Sequence, residues 1–101
     1  MTAGDEPDDE LRREMGCTRT EFLRWLPGAT RHAPIICNGD LHRVLSDQGT
    51  VEITIGEMPP RRIASMILPV LAVRFRFIEM NETAREAFLA YFDHYTRRGG
   101  G

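Results

Sequence analysis

Apolar positions along the chain follow two rhythms, and the switch between them lays out the elements. Phe22, Leu23, Trp25 and Leu26 recur at helical spacing. Just before them, Thr18-Arg19-Thr20-Glu21 has the form of a capping box. In that motif the threonine hydroxyl accepts from an orphan amide of the first turn and the glutamate reaches back to the cap amide. Pro27-Gly28 closes the stripe, which predicts a short helix over Thr20 to Leu26. Near the other end, Ala84, Ala87, Phe88, Tyr91, Phe92 and Tyr95 line one side of a second helix behind Asn81 as its cap. Glu82 and Glu86 lie toward the start of this helix and Arg97 and Arg98 at its end, where each sign of charge complements the helix dipole.

Between the helices the period drops to two. Pro34-Ile35-Ile36-Cys37 is a short apolar run closed by the turn signal Asn38-Gly39-Asp40. Leu41 to Ser46 and Thr50 to Glu57 flank Asp47-Gln48-Gly49 as the arms of a hairpin. In the second arm Val51, Ile53 and Ile55 alternate with Glu52 and Thr54. Met58-Pro59-Pro60 reads as a break, because proline has no amide to give to a ladder. Arg62 to Leu68, apolar on both faces, then predicts a central strand, with Pro69 as a turn or bulge. From Val70 onward Leu71, Val73, Phe75 and Phe77 point one way, Arg74 and Arg76 the other.

Helix, antiparallel strands, helix predicts an α+β fold: an antiparallel β-meander of four to five strands, with a short N-terminal helix and a longer C-terminal helix packed on one face. On that face Phe75 and Phe77 are expected to meet Phe88 and Phe92. The other face carries Val70, Ala72, Arg74, Arg76, Glu52 and Thr54. A half-apolar face left uncovered in this way is expected to be an interface.

Composition adjusts this outline at its ends. A chain of 101 residues has room for one core. Residues 1–16 hold six acids against Arg12 and Arg13 and few large apolar groups, for a net charge of −4, so they are expected to form a disordered acidic tail. The domain is then expected over residues 17–98, followed by a flexible glycine tail over 99–101. From residue 17 onward 11 Arg face 9 acids, a net +2. That is short of the concentrated basic surface that phosphate contacts demand, and no nucleic-acid partner is expected. Helix–strands–helix order resembles that of double-stranded-RNA-binding domains, but Asn81-Glu82-Thr83-Ala84-Arg85-Glu86 puts carboxylates where those domains put lysines. No stretch approaches the roughly 20 apolar residues of a membrane helix. The first residues have neither the basic start nor the apolar stretch of a secretory signal, so a cytoplasmic location is expected, with Cys17 and Cys37 as free thiols. All 13 cationic side chains are Arg, which reads as the coding bias of a GC-rich bacterial genome.

Candidate chemistry is sparse. Cys17, His32, Cys37 and His42 make a Cys2His2 set containing His-x4-Cys-x4-His. A structural zinc site usually begins with a tight pair such as C-x2-C, and there is none, so no metal or other cofactor is expected. Cys17 precedes the cap residue and suits a hydrophobic staple to Phe22. Arg61, Arg62, Arg74 and Arg76 would suit an anion if their strands are adjacent. There is no nucleophile elbow and no glycine-rich phosphate loop. The closing Arg97-Arg98-Gly99-Gly100-Gly101 resembles the tails of ubiquitin-like sulfur carriers in its Gly-Gly, though a helix rather than a strand leads into it. The expectation is a small accessory protein, not an enzyme, that acts through protein contacts on the open sheet face around Val70, Ala72, Arg74 and Arg76, as a homodimer or with a protein partner. The alternatives are an anion or metal binder at the residues above and, third, a small enzyme with Cys17 or His42 facing a pocket between the first helix and the sheet.

Overall fold

The computed structural model describes residues 9–97. Residues 1–8 of the expected tail and the glycines 99–101 lie outside the described residues. Chain order is β1 (Glu10–Met15), α1 (Arg19–Ala29), β2 (Ile35–Asn38), β3 (Leu41–Ser46), β4 (Gly49–Ile63), β5 (Met66–Ile78) and α2 (Glu82–Arg97). The five strands form one antiparallel sheet in the order β1-β5-β4-β3-β2. The α+β meander with a short first helix and a longer last helix is the architecture that periodicity predicts.

Strand register sorts the side chains cleanly. Leu11, Met15, Val44, Val51, Ile53, Ile55, Leu71, Val73, Phe75 and Phe77 share the inner face with Phe22 and Leu26 of α1 and Phe88 and Phe92 of α2. Phe75 stands edge-on to Phe92 at 5.1 Å between ring centroids and to Phe88 at 6.5 Å, so the aromatic meeting of β5 and α2 is as expected. Both helices lie on this face.

Three expectations need correction. First, residues 10–15 are not tail: they pair with Leu71 to Arg76 of β5 and form an edge strand. Its alternation is Leu11, Arg13, Met15, and the arginine in the middle disguises it. The Arg13 guanidinium lies 5.3 Å over the Phe75 ring and pairs with Asp93 of α2, so this cation sits on the inner face with its charge met.

Second, α1 does not stop at Pro27-Gly28 but runs to Ala29, with Thr30 as its cap. Pro27 removes one amide from the last turn. The Thr30 amide and hydroxyl both donate to the Leu26 carbonyl, at 3.1 and 2.9 Å, and finish the helix. The predicted capping box is present: the Glu21 amide donates to the Thr18 hydroxyl at 3.1 Å and the Thr18 amide to the Glu21 carboxylate at 2.9 Å.

Third, Pro59-Pro60 does not end a strand, and Arg62 to Leu68 is not a central strand. β4 and β5 form one long hairpin, while β3 pairs only with Gly49 to Thr54 and β1 only with Leu71 to Arg76. From Gly56 to Val70 the hairpin therefore projects as a two-stranded arm, and the molecule extends 47 × 32 × 25 Å. The register shifts between Met58 and Arg61, so Pro59 and Pro60 bulge opposite Pro69. Prolines are tolerated at a bulge on strands whose outer edges have no partner, which is why the run continues through them.

Candidate interface on the arm and the open sheet face

β5 alternates without interruption, so Met66, Leu68, Val70, Ala72, Arg74 and Arg76 all lie on the face away from the helices. Across the ladder Ile63 stands opposite Met66, Arg61 opposite Leu68, and Met58 opposite Val70. The open face thus has two halves. Over the body it is charged. Along the arm it is mostly apolar, with Met58, Ile63 and Met66 at 40%, 51% and 57% exposure around Arg61. On the arm's other side Ile67, 58% exposed, stands opposite Arg62.

Over the body the charges pair with one another. Glu10 accepts from Arg12 at 2.9 Å and lies 3.7 Å from Arg74, and Glu52 lies 2.8 Å from Arg43 and 3.8 Å from Arg76. The Arg12 hydrogen bond, with the charges of Arg12, Arg74 and Arg76, holds the Glu10 carboxyl below its usual range. Nearer the arm, Glu14 lies 3.3 Å from Arg61.

This arrangement separates the four arginines considered as an anion set. Arg74 and Arg76 join the carboxylates over the body, whereas Arg61 and Arg62 sit opposite Leu68 and Ile67 on the arm. Arg74 lies six residue steps along β5 from Leu68, about 20 Å of strand. Val70 and Ala72, half-buried, lie between the two groups on the same face.

The thiols and histidines divide differently. Cys17 is 2% exposed and belongs to the same core as Phe22. Burial, and secondarily the Glu21 charge, push its thiol up to about 11, which makes it inert at neutral pH. His32 is exposed in the loop after α1, with a left-handed backbone at φ 61°. Cys37 and His42 do come together. They are register partners on β2 and β3, and the Cys37 Sγ lies 3.2 Å from the His42 Nδ1. Among the described residues no three His, Cys, Asp or Glu side chains gather as metal ligands.

A further concavity, absent from any sequence expectation, opens between the end of α1, the β3–β4 turn and the first half of α2. Its volume is about 620 Å³, and Ala33, Leu45, Met80, Phe88 and Tyr91 contribute to its wall. At its edge the Arg31 guanidinium lies 3.9 Å over the Tyr91 ring. Arg31 and His32, together with Glu79 at the approach to α2, have positive φ of 58°, 61° and 55°. The backbone is therefore bent tightly on both sides of the opening.

Comparison with known proteins gives no family, no curated protein and no solved structure that matches the chain.

Proposed function

We propose that this protein is a non-catalytic binding module whose contact surface is the apolar stripe of the arm, and that the occupant of that stripe is a second copy of the chain. One observation carries this: Met58, Ile63 and Met66 are exposed together on one side of a hairpin that extends past both neighbouring strands. Core burial does not account for large apolar groups at that place, since the inner face is already complete around Phe75 and Phe92. A two-fold contact is isologous, so it sets the stripe of one copy against the same stripe of the other and needs no second kind of surface. The charged half of the face, already paired within the chain, frames the contact and disfavours a shifted register. A cytoplasmic location and a bacterial origin go with this reading as expectations from composition.

Light scattering over a concentration series tests it, using the unaltered chain and Ile63→Glu/Met66→Glu. The unaltered chain is expected to approach twice the monomer mass with rising concentration, and the variant, with an unchanged thermal midpoint, to stay monomeric. A wild-type chain that remains monomeric up to millimolar concentration refutes self-association through the arm, as does a variant that dimerises equally well.

A further inference from the structure

The Cys37–His42 pair lies outside the proposed contact surface and has a chemistry of its own. His42 is 4% exposed, and its Nε2 meets no hydrogen-bond partner among the described residues. A polar atom buried without a partner costs about 1–3 kcal/mol, and an aliphatic side chain in its place would cost nothing of the kind. Among the described residues the imidazole's one hydrogen-bond contact is through Nδ1, to the Sγ of Cys37. That thiol is itself exposed, on the sheet's free edge strand. The polar capacity of a buried histidine is thus directed at a single solvent-facing sulfur. Burial foremost, and then the charge of Arg19, depress the His42 pKa, with Asp40 acting in the other direction. The ring is accordingly neutral at physiological pH and able to accept a proton. Arg19 itself pairs with Asp40 at 2.8 Å and Glu57 at 3.4 Å.

We infer that Cys37 is a reactive thiol, assisted by His42, that exchanges with low-molecular-weight disulfides to form a mixed disulfide on the edge strand. The step balances within the pair and the reagent. Sγ attacks one sulfur of R–S–S–R as its proton passes to Nδ1. The Sγ–S bond forms, the reagent's S–S bond breaks, and RS⁻ leaves with the electron pair and takes the proton from the imidazolium as RSH. Cys37 is oxidised and the released half of the reagent is reduced. Cys17, buried and protonated in the same molecule, is the internal comparison.

The test treats the full native chain with an aromatic disulfide, follows release of the coloured thiolate, and maps the adduct by peptide mass spectrometry. Oxidised glutathione then replaces the reagent as a physiological disulfide. One equivalent is expected on Cys37, with Cys17 modified only after denaturation. His42→Leu is expected to slow the reaction by about a hundredfold, the lower end of the range that a lost proton acceptor produces. Cys37 is already exposed in the folded chain, so loosening of the fold would not slow its reaction, and a slower His42→Leu chain separates assistance from mere packing. Should His42→Leu not fold, His42→Asn serves as the second variant: it removes the ring that accepts the proton while retaining a polar side chain, and it is also expected to be slow. Modification of Cys17 before Cys37, or a folded His42 variant reacting as fast as the native chain, overturns the inference.

Discussion

Gly28 is buried in the last turn of α1, and a Cβ built on it would overlap the ring and hydroxyl of Tyr95 on α2. In an open helix, Gly→Ala gains up to about 1 kcal/mol through helix propensity. Here the methyl has to displace an aromatic ring from the α1–α2 contact, and overpacking of that kind costs about 1–3 kcal/mol. The second effect exceeds the first, so Gly28→Ala is expected to destabilise the protein by about 1–2 kcal/mol, which for a domain of this size lowers the melting temperature by roughly 5–10 °C. Tyr95→Ala opens the space the methyl needs. In that background the same substitution is expected to reverse sign and stabilise by several tenths of a kcal/mol, giving a coupling of about 2 kcal/mol between the positions. Urea unfolding of the four proteins of this cycle measures it. If Gly28→Ala stabilises the otherwise native chain, the two helices do not meet at Gly28 and Tyr95, and the derivation fails.

Two other outcomes follow from the fold. Leu11→Asp sets a carboxylate opposite Phe75 on the inner face and is expected to cost about 2 kcal/mol in urea unfolding, where a disordered tail would give a change below about 0.5 kcal/mol. His42 has a folded-state pKa below its unfolded value, so below about pH 6.5 the unfolded chain binds a proton that the folded chain resists. Stability is therefore expected to fall as pH drops below about 6.5 and to level off once the folded-state pKa is passed. His42→Leu is expected to remove that part of the slope, and an unchanged pH profile in that variant would show that His42 does not contribute it.

What the sequence made legible was local. The capping box over Thr18 to Glu21 needs only four residues, and it formed as read. The alternation from Val70 to Phe77 set the open face correctly, because a period of two on one strand fixes its sides without reference to any other element. β1 was missed for a physical reason: a cation on the inner face breaks the apolar rhythm, and the groups that make it acceptable, the Phe75 ring and Asp93, lie some sixty and eighty residues away. The arm was missed because proline is a breaker only where a ladder needs its amide, and whether a neighbouring strand reaches that far is a tertiary fact. The Cys37–His42 pair had a readable signal. A two-residue turn at Gly39-Asp40 places Asn38 opposite Leu41, and hence Cys37 opposite His42. Treating Asn38-Gly39-Asp40 as punctuation alone left that register undrawn. The concavity beside Arg31 had no such signal, since it is the space left between three elements that are distant in sequence.

The bulge where Pro59 and Pro60 face Pro69 also bears on how this chain can change over evolutionary time. Across that level no proline amide ties the two strands together, so the eight residues from Arg61 to Leu68 form a small hairpin whose own hydrogen bonds do not depend on those of the body. A substitution, insertion or exchange beyond the prolines leaves the register of Val51, Val73 and Phe75 untouched. The tip is in effect a cassette: its exposed surface can be rewritten while the scaffold beneath it stays the same.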